Sequence, residues 1–301
     1  MTQANCRISR WKTGLLLGVL FFITTFGLQS QAVAQASHGA FEVTSGLGRK
    51  LYALPDDQGI IEARKKLTED PTSVERVLQL SKAQAARRQY KEAVATATQG
   101  LAFAPKSADL YLERGHRELG LREFKVAMSD LEQAKKLAPE MLEAYYHLGL
   151  AHYFLAEFNE AAFSFDRARA LAKSNDSLID CSNWLYVSLR RAGKDQEAAQ
   201  VLTRITPEVK NTEPHLAFYL GLLHLYQGKL TEEAVLPPPP TGPEDIEGEL
   251  AFNTVSYGVG NWRLYHNNSA GVDLFRNVVK GEAWNSWGFI GSELELLRRK
   301  K

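Results

Sequence analysis

Pro71, Pro105 and Pro139 stand 34 residues apart, and most of the chain keeps that step. Small residues recur at Gly59, Ala93, Ala127 and Ala161, and at Gly100, Ala134 and Ala168. Aromatics recur at Tyr90, Phe124 and Phe158, and Ser81, Gly115 and Gly149 form a further small set. A fixed interval of this length marks stacked helix–turn–helix units. A chain of this kind grows by adding units and offers surface along its length. With 36 basic and 35 acidic residues it lacks the basic excess that phosphate backbones require. No nucleic-acid partner is expected.

The first residues read as an export signal. Arg7, Arg10 and Lys12 precede a short apolar run, Gly14 to Leu28, and no acidic residue occurs before Glu42. Ala34-Gln35-Ala36 supplies the small residues that a signal peptidase reads, which places cleavage before Ser37, with Ala32-Val33-Ala34 as a second candidate. The alternative is an uncleaved anchor to the inner membrane through residues 14–28, but spanning a bilayer takes about 20 apolar residues. Cys6 lies ahead of the apolar run, so Cys181 is the only thiol expected in the processed chain. One cysteine makes no internal disulfide framework. The expectation is an exported protein, periplasmic or secreted.

Residues 37–54 form a mixed lead-in that reads as loosely held. Pro55-Asp56-Asp57 opens a helix with an aspartate cap, and Ile60, Ile61, Ala63 and Leu67 give it an apolar stripe. This half unit precedes three full ones near 74–107, 108–141 and 142–175. The phase then slips by about three residues, putting a fourth unit near 179–212 and a fifth from Glu213. Pro237-Pro238-Pro239-Pro240 interrupts the pattern and favours an extended backbone. The segments are therefore 1–36 signal, 37–54 lead-in, 55–235 repeats, 236–244 proline-rich interruption and 245–301 a final helical pair with a closing helix near Trp284–Leu297. No segment shows sustained strand alternation.

Leu148-Gly149-Leu150-Ala151-His152-Tyr153 followed by Phe158-Asn159-Glu160-Ala161 and Ala168 resembles the tetratricopeptide repeat, as does Tyr90-Lys91-Glu92-Ala93 with Gly100 and Pro105. The likeness covers roughly 56–175 and extends more loosely to about 212. The C-terminal part, Tyr257 to Glu293, resembles the tail of exported bacterial proteins of this repeat class, a subgroup without an established activity. Lys173 in place of the expected proline is a departure from the pattern. The resemblance implies an all-α fold: a right-handed superhelical solenoid of antiparallel helix pairs with a C-terminal capping helix. First helices would line the concave face and second helices the convex face, and the partner would be a protein or peptide segment.

Placing the first helices on the concave side gives a candidate partner-binding groove of Leu112, His116, Tyr146, His147, Leu150, Tyr153, Trp184, Val187, Phe218 and Tyr219. Aromatic side chains supply large contact area at small conformational cost. The competing reading is that the stripe is packed, either against the next unit or beneath the proline-containing segment.

Catalytic signatures are missing. His147 and His152 are five apart and so diverge around a helix, and no HExxH pair or Cys/His spacing occurs. His116 and His147 can meet on neighbouring first helices, but two ligands make a weak metal site. No nucleophile elbow is present, and Gly258-Val259-Gly260 lacks the strand and third glycine of a nucleotide loop. The sequence thus predicts a non-catalytic interaction scaffold without metal or cofactor, touching a membrane only if its first segment is retained.

Overall fold

A computed structural model describes residues 39–242 and 245–300. The candidate signal segment and its cleavage sites lie outside them. Two short strands, β1 (Phe41–Thr44) and β2 (Lys50–Tyr52), are followed by fourteen helices. The half unit is α1 (Gln58–Glu69). Helix pairs follow: α2 (Val74–Ala86) with α3 (Tyr90–Phe103), α4 (Ala108–Gly120) with α5 (Phe124–Leu137), and α6 (Leu142–Phe154) with α7 (Phe158–Leu171). Then come α8 (Asn175–Arg191) with α9 (Asp195–Leu202), and α10 (Leu216–Tyr226) with the single turn α11 (Glu232–Val235). After the prolines stand α12 (Ile246–Tyr265), α13 (Gly271–Val278) and α14 (Trp287–Arg298).

The repeated residues account for the repeated geometry. Two residues after Pro71 and Pro105, the hydroxyls of Ser73 and Ser107 cap α2 and α4 by accepting from the Arg76 and Leu110 amides. A serine cap is worth about 1 kcal/mol over alanine. Small residues admit the facing helix: a Cβ on Gly149 would lie 2.7 Å from the Phe165 ring. Each first helix then closes on a residue with positive φ, at Arg88, Arg122, Ala156, Gly193 and Gly228.

That turn residue makes a prediction. A side chain in the left-handed region costs about 1 kcal/mol. Ala156 offers nothing in return, so Ala156→Gly is expected to stabilise by about 0.5–1 kcal/mol in urea unfolding. At the equivalent place Arg122 reaches across the molecule to the Trp284 carbonyl and the Glu293 carboxylate. Arg122→Gly should therefore destabilise, although it relieves the same backbone strain. Equal shifts in the two variants would contradict this account.

The phase slip falls later than the sequence suggests. Ser174 caps α8, so the fourth unit starts near 175 and not near 179. The extra residues lengthen α8 to 17 residues, against 13 in α6. They form an added turn before Gly193.

The lead-in is also more ordered than expected. β1 and β2 pair antiparallel, with Val43 opposite Leu51. The Trp284 indole donates to the Tyr52 carbonyl at 3.0 Å, and the Gly46 amide donates to Glu293. Leu51, Tyr90, Leu121, Val278, Trp284 and Phe289 share one buried cluster. Chain ends that are distant in sequence thus meet around the first units. The closing helix does more than cover an end. It lies against the first helices, with Trp287 beside His116 and Phe154 and with Arg298 donating to the Tyr153 and Phe154 carbonyls.

Candidate partner-binding face

The first helices α4, α6, α8 and α10 place the expected groove residues in one succession, but not on one open surface. Leu150 and Tyr153 are wholly buried, Trp184 and Val187 are each 2% exposed, and Tyr146 and His147 are also buried. Leu112, His116, Phe218 and Tyr219 are half-buried. The open aromatic groove is therefore replaced by a filled one, and the occupant is the chain's own C-terminal part. Tyr257 of α12 donates from its hydroxyl to that of Tyr153 at 2.8 Å. Trp184 is ringed by Tyr153, Phe154, Phe165 and Tyr257 at centroid separations of 5.3–6.3 Å. The filling follows from bulk: aromatics at this density gain far more from mutual burial than from water.

Two buried carboxylates fasten α14 over this face. Glu293 accepts from Arg122 at 3.0 Å and from the Gly46 amide. Glu295, with no exposure at all, meets Arg191, Arg298 and Arg299. Burial pushes the Glu295 carboxyl up, but the Arg191 charge and the other two guanidiniums outweigh it and hold it below the usual carboxylate range.

His116 and His147 do come together, with ring centroids 4.2 Å apart and Trp287 against both. His147 Nδ1 lies 2.7 Å from the Glu143 carbonyl. A carbonyl only accepts, so Nδ1 carries the proton. Burial lowers both histidines, His147 to about 4 and His116 well below its ordinary value, with the Arg117 charge acting in the same direction. Among the described residues no group of three or more His, Cys, Asp or Glu is placed to hold a metal ion.

A depressed histidine stabilises the fold above its unfolded value of 6.5, and that stability is lost as the pH falls through the folded value. Asp180 and Glu118 act oppositely, since burial raises them to about 7 and about 8. His147→Leu is expected to flatten the acid limb of stability between pH 6.5 and 4 relative to the unchanged protein. The two carboxyl titrations are common to both proteins and cancel in the difference. Parallel melting-temperature profiles for the two would contradict this assignment.

What stays partly open is a strip across successive first helices, Leu78, Leu112, Asp180 and Tyr219, with the buried Tyr146 beneath it and His116 at its edge. The Tyr146 hydroxyl donates to Asp180 Oδ1 at 2.9 Å. Asp180 falls outside the groove deduced from sequence because the slip was placed before it. The 34-residue step from Tyr146 to Asp180 was the available signal. On the other side, between α7 and α9, lies a cleft of about 450 Å³ walled by Phe163, Arg169, Leu189, Val201 and Arg204. Phe163 is 69% exposed there.

Among solved structures the fold resembles MamA, at 21% identity and a TM-score of 0.44 over 50% of this chain and 94% of that one. It also resembles a tetratricopeptide repeat protein from Parabacteroides merdae, at 15% identity and a TM-score of 0.48 over 79% and 91% of the two chains. A third is YrrB, described as a tetratricopeptide protein with an unusual peptide-binding site, at 16% identity and a TM-score of 0.36 over 68% and 98%. No family model and no curated protein matches the sequence. The 34-residue step, the capped helix pairs and the small residues at their contacts decide the matter. The fold is an all-α, tetratricopeptide-like solenoid of helix pairs. Its inner face is largely filled by its own C-terminal helices. Among the described residues no helix is long and apolar enough to cross a membrane.

Proposed function

We propose that this chain is an exported, non-catalytic interaction scaffold, and that its partner is a protein segment held along the strip left open on the inner face. The observation that carries this reading is that Leu112, Asp180 and Tyr219 stay half-buried on successive first helices, around the buried Tyr146. Such solenoids work through surface that is continuous from unit to unit. Export rests on the charged start, apolar run and small-residue site of the first 36 residues. Mass spectrometry of the protein from its native cell should find Ser37 at the N-terminus, and an intact Met1 would favour the tethered alternative.

A second reading has its own support in the cleft beside Phe163, since a phenylalanine 69% exposed at the mouth of a cavity is an anchor for another molecule. One experiment separates the two. Affinity capture with the unchanged protein, with the pair Phe218→Ala and Tyr219→Ala, and with Phe163→Ala should show one retained partner lost only with the first pair. Loss with Phe163→Ala alone would move the binding site to the outer cleft.

A further inference from the structure

The strip contains one carboxyl group that no cation among the described residues meets. Asp180 sits on the first turns of α8, half-buried, between Tyr146 of α6 and Tyr219 of α10. One oxygen accepts the Tyr146 hydroxyl. Among the described residues no lysine, arginine or histidine forms an ion pair with it. Glu113, Glu293 and Glu295 are each met by a guanidinium, whereas Glu118 and Glu249 are not but are closed off from solvent; Asp180 is the carboxyl without an ion pair that reaches the half-open strip. A carboxylate withdrawn from water without a cation is costly to keep charged. The same withdrawal strengthens its attraction for any cation brought to it, and the neighbouring aromatic rings favour a cation over a neutral group.

We infer that Asp180 recognises a lysine or arginine side chain of the bound segment, with Tyr146 and Tyr219 beside the incoming cation and Leu112 and Phe218 receiving apolar neighbours. The inference rests on the inner-face reading above and adds the chemistry of the partner: a segment carrying a basic residue flanked by apolar ones. The strip would then discriminate against acidic segments, which would place a second negative charge at a site already short of a positive one.

The test is selection from a phage library of random 12-residue peptides on the full chain, followed by binding of the recovered peptides to two variants. Asp180→Asn keeps an oxygen that accepts from Tyr146 and removes only the charge. Tyr219→Ala opens the strip, and its circular dichroism melt reports whether the fold survives. The expected result is enrichment of Lys or Arg at one aligned position, with affinity falling about tenfold or more in Asp180→Asn. Peptides weakened by Tyr219→Ala but not enriched in basic residues, or insensitive to Asp180→Asn, would overturn the cation and leave the strip as the binding site. If no recovered peptide is weakened by Tyr219→Ala, the strip itself fails, and the inference with it.

Discussion

Trp184→Ala is expected to destabilise the protein by about 3–5 kcal/mol, the usual cost of emptying an aromatic core position. Its indole is 2% exposed and packs against Tyr153, Phe154, Phe165 and Tyr257, which come from α6, α7 and α12. Those rings belong to one full unit and to the C-terminal return, while Trp184 comes from the next unit, so the cavity would lie where three parts of the molecule join. Partial collapse is hindered because each ring is fixed by others. A tryptophan lining an open groove would behave otherwise, with truncation changing stability by about 0.5 kcal/mol or less. Urea unfolding followed by circular dichroism distinguishes the two. A change under about 1 kcal/mol would show that Trp184 faces water.

Glu295→Ala should cost a comparable amount, about 3–5 kcal/mol, because it strands charges that are matched only to one another. Arg191 of α8 and Arg298 and Arg299 at the chain end all converge on this carboxylate. Removing it leaves three guanidiniums crowded together, with Arg191 mostly withdrawn from water. Glu295→Gln should fall between the two proteins, since it keeps the shape and loses the charge. The acid behaviour has a fixed sign. The carboxyl is held below its ordinary value in the fold, so its contribution is present above the unfolded value and disappears as the pH falls through the folded one. The gap between the unchanged protein and Glu295→Gln should accordingly close in acid. A gap that is small at neutral pH, or that widens in acid, would contradict the role assigned to the cluster.

The repeating part of the molecule is legible because it is written in short-range terms. Prolines, serine caps and small residues act within one unit or between neighbours, and a constant interval exposes them. Gly258 and Gly260, which lack the marks of a nucleotide loop, are close helix contacts: added Cβ atoms would lie 2.5 Å from Leu222 and from Phe275. The left-handed turns were hidden, because Arg88, Arg122 and Ala156 occupy positions where glycine is the usual marker. The hairpin was hidden for a different reason. Four- and three-residue strands carry too little alternation to register, and their stability comes from Trp284 and Glu293, more than 200 residues away.

The inner face shows the same limit at larger scale. Periodicity says that Tyr146, Tyr153 and Trp184 share a face, and it says nothing about what later returns to cover that face. A trace was present in α14, where Glu293 and Glu295 alternate with apolar residues and point to different arginines. A helix whose acidic residues are so placed has charged partners on more than one side and is enclosed. Asp180 lies outside the groove that the sequence predicts because the added residues lengthen the end of α8 and not its start.

Hydrogen exchange measured by mass spectrometry on the isolated protein bears most directly on whether the inner face is filled from within. Amides of the last helix, Trp287–Arg298, should exchange as slowly as those of α6, Leu142–Phe154, because both open only with the core they share. Rapid exchange across Trp287–Arg298 with α6 still protected would mean that the closing helix is detachable and that the groove stands open.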